Sequence, residues 1–213
     1  MTPDLVVFDC DGVLVDTEGP MFEVFAKSIT DHGLAVTPHQ LATEFTGGTT
    51  PIMRDEAIRR GAILPEGWVE EMNTQIHARI AQGVAVFEGV LDLITALEDA
   101  GVPIYVASNG TMKRMGLSLG PSGIWDRLEG RILSRETYQA KPDPAMILHA
   151  IAQTGARPEK SFMIDDSVPG CRAGINAGVQ TIGFATEGQD VRLADVGATV
   201  VNTMAAARQL ILG

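Results

Sequence analysis

Cysteine is scarce in this chain, with two in 213 residues, Cys10 and Cys171. Two thiols cannot build a disulfide framework, and their spacing is not that of metal ligands, so they read as small buried residues in a reducing compartment. Long apolar runs are missing as well. Nothing approaches the roughly 18 to 20 continuous apolar residues that a membrane span needs. Met1-Thr2-Pro3-Asp4 passes into the first apolar run without a basic flank or cleavage site. The expectation is a cytoplasmic protein with no membrane partner. Positive charge is also short: 16 Lys and Arg stand against 27 Asp and Glu, a net charge of −11. That speaks against nucleic acid, or an anionic membrane surface, as the main partner, since either needs a basic patch. If the substrate is itself anionic, a local cation must offset the protein's own carboxylates, which points toward a metal. His32, His39, His77 and His149 are scattered, so neither a histidine metal centre nor a Ser-His-Asp triad takes shape.

What the chain does have is alternation. With 45% hydrophobic residues it can bury a real core plus a smaller second domain. From about residue 88 onward helical and strand-like segments take turns: helix Val90 to Ala100 ending at Gly101, strand 103–107, helix Met112 to Leu119, strand 130–134. Then come a helix from Pro144 to Gly155 with Asp143 as N-cap, strand 161–164, helix Pro169 to Ala177 closed by Gly178, and strand 180–184. Such alternation predicts an α/β protein with a Rossmann-like parallel sheet covered on both faces. Residues 17–83 differ, with helical patterns at Met21 to His32, Gln40 to Phe45, Pro51 to Arg60 and Glu66 to Gln82 but no convincing strand. The expected organisation is therefore a core of residues 1–16 and 84–213 with an inserted α-helical cap of residues 17–83. Gly83 is a candidate hinge. Open α/β sheets bind ligands beyond the carboxyl ends of their strands, so such an insertion would act as a lid over the site.

Four short motifs fall at the expected strand ends or helix starts. The first apolar run ends in Asp9-Cys10-Asp11-Gly12, with the two carboxylates spaced to point the same way. Ser108-Asn109-Gly110 follows the second strand, Lys141-Pro142-Asp143 precedes a helix, and Asp165-Asp166-Ser167 follows a later strand. Taken singly these are ordinary: Asp-x-Asp is common, and Lys-Pro-Asp-Pro is usually just a helix start. Together they meet the demands of phosphoryl transfer. Asp9 can attack phosphorus as a carboxylate nucleophile. Asp11 can protonate the leaving oxygen and later activate water. Asp165 and Asp166, with Asp9, offer hard oxygen ligands suited to Mg²⁺. Ser108 and the groups after it, Asn109 first, can hydrogen-bond phosphate oxygens, and Lys141 supplies a fixed positive charge to phosphate and nucleophile alike.

On these residues the chain resembles the haloacid dehalogenase-like hydrolase superfamily, in its helical-cap subgroup. Phe8-Asp9-Cys10-Asp11-Gly12-Val13-Leu14-Val15-Asp16-Thr17-Glu18 is similar to the first motif and Val106-Ala107-Ser108-Asn109-Gly110 to the second. Lys141-Pro142-Asp143 is similar to the third, and Ile164-Asp165-Asp166-Ser167 with Gly170 and Ala177-Gly178 to the fourth. The resemblance implies that Asp9 is the nucleophile and Asp11 the acid/base whose backbone carbonyl also ligates Mg²⁺, with Asp165 and Asp166 completing the metal site. Asp11 separates the chain from dehalogenases, which cleave a carbon–halogen bond and carry no acid there. β-Phosphoglucomutase-like members have a histidine shortly after the first motif and a basic cap loop. Here Met21 and Phe45-Thr46-Gly47-Gly48-Thr49-Thr50 take those places.

The resulting expectation is a monomeric Mg²⁺-dependent phosphatase acting on a small phosphorylated metabolite through an aspartyl-phosphate. The runs around Ser108, Lys141 and Asp165 look most similar to 6-phosphogluconate-type phosphatases. A phosphosugar mutase and a noncatalytic binding module are the alternatives. In the insertion, Thr46, Gly47, Thr50 and Arg54 can face the substrate, and they can equally cap and solvate the helix beginning near Pro51.

Overall fold

The structure, a computed structural model, describes residues 2–44, 49–186 and 190–213. Leu5-Val6-Val7-Phe8 forms strand β1 (Leu5–Phe8), in which every residue is buried. Unbroken burial along a strand requires cover on both faces, the condition of an interior strand in a parallel sheet. After β1 the chain runs through the two-residue strand β2 (Val15–Asp16) and helices α1 (Glu18–Asp31), α2 (Pro38–Glu44), α3 (Thr50–Arg59) and α4 (Trp68–Ala81). It then enters β3 (Ala85–Val86), α5 (Val90–Asp99), β4 (Ile104–Ser108), α6 (Met112–Leu119), α7 (Ile124–Arg127) and β5 (Ile132–Ser134). The remainder is α8 (Ala145–Thr154), β6 (Ser161–Asp165), α9 (Val168–Asn176), β7 (Gln180–Phe184), α10 (Val191–Asp195), β8 (Thr199–Val201) and α11 (Met204–Leu212).

Six strands form one sheet in the order β5-β4-β1-β6-β7-β8, with parallel pairing. Val7 of β1 lies opposite Tyr105 of β4 and Met163 of β6. Leu5, Val7, Tyr105, Ala107 and Met163 share a buried cluster with Met146, Ile147 and Ala150 of α8 and Ala173 of α9. The alternate residues Val6, Phe8, Ile104 and Val106 point to the opposite face and are equally buried, with α5 packed on β4. The fold class read from the alternation of apolar runs is the one observed. Strand order reverses on the two sides of β1, since β4 is its neighbour one way and β6 the other. That reversal opens a crevice at the carboxyl ends of these strands. Asp9, Ser108 and Asp165 stand at those ends.

The chain divides into two compact units, Met1–Val15 with Ala85–Gly213 and, separately, Asp16–Val84. β2 and β3 pair with each other where the chain passes from one unit to the other and back. In the second unit α1 packs on α2 and α4, and α3 on α4. The buried residues of α4, Trp68, Met72, Ile76 and Ile80, recur every four residues and form one stripe. Trp68 is fully buried, stacks on Phe25 with ring centroids 5.8 Å apart, and donates its indole N–H to the Ser28 hydroxyl at 2.9 Å.

Local details depart from the sequence reading. α8 starts at Ala145 with Pro144 at the cap position, yet the Asp143 carboxylate still accepts the Ala145 N–H at 2.9 Å. α1 begins three residues before Met21, because Pro20 sits in its first turn, where the missing N–H has no partner to lose. Beyond the strand 180–184, where the sequence reading stops, come α10, β8 and the nine-residue α11. α10 has five residues and β8 three, too few for a periodic pattern to declare itself.

Candidate active site

The site begins where β1 ends. The Asp9 N–H continues the ladder by donating to the Ile164 carbonyl at 2.9 Å. The chain then doubles back: Leu14 and Val15 donate to the Cys10 carbonyl at 3.0 and 3.2 Å, and Gly12 donates to Val15 at 2.9 Å. Gly12 has φ +84°, and a Cβ there would overlap the Asp166 carboxylate. The glycine is required both by its left-handed backbone and by that close approach.

Lys141 ties two strand ends together. Its ammonium donates to Oδ1 of Asp9 and to Oδ2 of Asp165, each at 2.6 Å. All three side chains are nearly or wholly buried, at 3%, 10% and 0% exposure, so these bonds act in a low dielectric. Burial pushes the Asp9 carboxyl up to about 7; Lys141 works against this, and the neighbouring Asp165 and Asp11 charges add to it. For Lys141 desolvation is the largest single influence and pulls downward, but Asp165 and Asp9 together carry its pKa above the ordinary lysine range. The lysine therefore stays charged. Burial also pushes Cys171 up to about 12 and Cys10 well above the usual thiol range, which favours the protonated thiol at both positions.

Asp165 is held on both oxygens. Oδ2 takes Lys141, while Oδ1 accepts the Ser167 N–H at 2.9 Å and the Ser167 hydroxyl at 2.6 Å. The Ser167 hydroxyl in turn caps α9, accepting the Gly170 N–H at 3.1 Å. A Cβ on Gly170 would collide with the Asp165 carboxyl itself. Gly170→Ala is accordingly expected to lower stability by about 1–3 kcal/mol, and to weaken activity by displacing the carboxylate that holds Lys141. Urea melts and steady-state kinetics check this, and an alanine variant as stable and active as the parent would disprove the close approach.

Ser108 ends β4 and is 2% exposed. Its hydroxyl accepts the Gly110 N–H at 2.9 Å, while the Gly110 carbonyl accepts the Ser134 hydroxyl at 2.7 Å. The Asn109 carboxamide accepts the Lys141 N–H at 2.8 Å and donates to the Lys141 carbonyl at 3.1 Å. The Lys141–Pro142 peptide is cis. Thr111 caps α6 by accepting the Arg114 N–H, and the Arg114 Nε lies 3.2 Å from Oδ2 of Asp11.

The structure thus places Asp9, Lys141 and Asp165 in one bonded group. Asp9, Asp165 and Asp166 offer ligand oxygens within 4.8 Å of one another, the one such grouping found among the described residues. Thr46 and Gly47 lie outside the described residues. Thr50 donates its hydroxyl to Asn73 at 2.9 Å, and Arg54 lies 3.4 Å from Asp55, both partners belonging to their own unit. Sequence reasoning missed Arg114 beside Asp11, Ser167 on Asp165, and the attachment of Asn109 to the Lys141 backbone. Only Ser167 carried a local signal, as a cap residue opening a helix.

A family model described as haloacid dehalogenase-like hydrolase matches residues 6–184. The chain is 28% identical over 187 residues to a 6-phosphogluconate phosphatase of Escherichia coli, covering 86% of this chain and 83% of the relative. It is 28% identical over 210 residues to a phosphoglycolate phosphatase of Agrobacterium fabrum, covering 92% and 87%. A haloacid dehalogenase family hydrolase of Deinococcus radiodurans, solved with bound phosphate and sodium, superposes with a TM-score of 0.86 at 28% identity, covering 98% of this chain and 94% of that one. The chain belongs to the haloacid dehalogenase-like hydrolases.

Proposed function

We propose that the protein is a Mg²⁺-dependent phosphatase that hydrolyses a small phosphorylated metabolite, a sugar phosphate or sugar-acid phosphate, through an aspartyl-phosphate on Asp9. The observation that carries this reading is the buried Lys141 ammonium joining Asp9 to Asp165 at 2.6 Å each, with Asp11 two residues beyond the nucleophile. The names of the Escherichia coli and Agrobacterium fabrum relatives support the substrate class.

In this reading an Asp9 oxygen bonds to phosphorus as the ester bond breaks, and the departing alkoxide takes a proton from Asp11. Asp11, now a carboxylate, then takes a proton from water as that water attacks the same phosphorus. The bond from Asp9 to phosphorus breaks, inorganic phosphate leaves, and both aspartates return to their starting states. Lys141 and Ser108 meet charge on the phosphoryl oxygens.

The donor set fits a hard divalent cation, because ligand oxygens of Asp9, Asp165 and Asp166 lie within 4.8 Å of one another while the one lysine ammonium, Lys141, bonds to Asp9 and Asp165 alone. Asp9, Asp165, Asp166 and the Asp11 carbonyl would hold it, with Asp165 bonded in addition to Lys141 and Ser167. When bound, Mg²⁺ supplies positive charge that keeps Asp9 ionised beside an anionic ester. Substrate choice falls to the second unit as a cap, through Thr46, Gly47, Thr50 and Arg54.

The test is phosphate release from p-nitrophenyl phosphate and a panel of sugar and sugar-acid phosphates, with Mg²⁺ and with chelator. Release with Mg²⁺ that falls at least about 100-fold on chelation is expected; no release from any compound under any condition removes the proposal. Conversion between hexose 1- and 6-phosphates without phosphate release would replace it with the mutase reading.

A further inference from the structure

Asn109 follows Ser108 directly, where a phosphate ligand is expected, yet its side chain is turned to another task. Both ends of the carboxamide are bonded to the backbone of a single residue, Lys141, which lies 32 positions further along the chain. The oxygen takes the Lys141 N–H at 2.8 Å and the nitrogen gives to the Lys141 carbonyl at 3.1 Å. The partners fix the orientation, since the flipped amide would set a donor against a donor and an acceptor against an acceptor. Lys141 lies between β5 and α8, outside any strand ladder. Two bonds to the N–H and C=O of one residue reproduce what a neighbouring strand would do, and they fix where its Cα–Cβ bond points. From that anchor the lysine chain, 3% exposed, spans to Asp9 and Asp165. A flexible four-carbon side chain delivers its charge accurately only when its root is fixed.

We propose that Asn109 is a positioning residue that clamps the Lys141 backbone so that the ammonium bridges Asp9 and Asp165, and that its carboxamide is not a phosphate ligand. The catalytic part of this inference rests on the phosphatase reading; the clamp itself does not. The chain has four lysines, Lys27, Lys113, Lys141 and Lys160, so selective ¹⁵N-lysine labelling gives a simple amide spectrum.

In Asn109→Ala the Lys141 amide should lose at least about tenfold of its hydrogen-exchange protection while the other three stay as they were. With p-nitrophenyl phosphate, kcat should drop about 10- to 100-fold, with KM and inhibition by inorganic phosphate within about threefold of the parent. Asn109→Asp keeps the acceptor and loses the donor. It should keep the Lys141 amide protected and show a kcat between parent and alanine variant, and it serves as the readout if the alanine variant does not fold. Unchanged Lys141 exchange in Asn109→Ala overturns the clamp. A tenfold weaker phosphate inhibition at parental kcat overturns the positioning role in favour of direct phosphate binding. Absence of turnover in the parent sinks the phosphatase reading and the catalytic role together, while the exchange measurement still decides the clamp.

Discussion

Asp9→Asn is expected to lower turnover by at least about 10⁴-fold and, in the same protein, to raise stability above about pH 7. The first effect follows from the role proposed for Asp9 as nucleophile: a neutral amide oxygen cannot take the place of a carboxylate in forming the bond to phosphorus. The second follows from burial. The folded state holds the Asp9 pKa at about 7, whereas an unfolded chain restores the ordinary value near 4. Between those two values the folded protein binds more protons than the unfolded one, so this carboxyl lowers stability increasingly as pH rises through that window. Below about 4 the cost is absent, and above about 7 it is fully present. Asparagine removes it and still offers an oxygen to Lys141. Urea melts at about pH 5 and pH 8 in chelator should show the variant's advantage growing with pH. A difference that does not grow contradicts the burial argument, and turnover within a hundredfold of the parent removes Asp9 as nucleophile.

Lys141→Met should behave in the opposite way on stability, with both properties falling. Methionine fills much of the same volume but leaves Asp9 and Asp165 buried without the cation that each meets at 2.6 Å. Breaking a buried ion pair from one side costs about 3–5 kcal/mol, because the desolvated charges remain. Turnover should drop by about 10³-fold from loss of charge stabilisation alone. Added Mg²⁺ should recover more stability in this variant than in the parent, since a dication can offset the carboxylates that the lysine leaves behind. A variant as stable as the parent in chelator would show that the two aspartates are satisfied without Lys141. The two substitutions touch the same hydrogen bond, and the opposite signs in stability distinguish the member that burial penalises from the member that offsets it.

The parallel sheet was legible because strands buried on both faces leave continuous apolar runs, as in Leu5-Val6-Val7-Phe8 and Phe162-Met163-Ile164. The acidic and basic side chains at strand ends were legible for a related reason: a charged residue closing an apolar run has no structural use there, so Asp9 and Asp165 stand out. What escaped notice depends on geometry rather than on residue type. Nothing around Arg114 says that one helical turn beyond Thr111 brings it beside Asp11. Nothing in Ser108-Asn109-Gly110 says that the amide turns away along the crevice to grip a backbone 32 residues later. Gly12 and Gly170 look like turn and helix glycines, and their tighter reason, carboxylates lying where a Cβ would be, requires the fold to be seen.

The central place of β1 has a consequence for how the protein comes into being. Strand β1 is completed by a strand made much later: Val6 pairs with Phe162, and Lys141 reaches Asp9 across 132 positions. At a synthesis rate of about 5–20 residues per second, about 8 to 30 seconds pass between the emergence of Val6 and of its partner. Through that interval an apolar four-residue strand has an open edge and no β6 to close it. Such long-range parallel pairing also makes for slow folding. Holding this segment out of contact with other nascent chains is thus a task for the cell during translation, and the bonded group of Asp9, Lys141 and Asp165 is complete only once β6 has emerged.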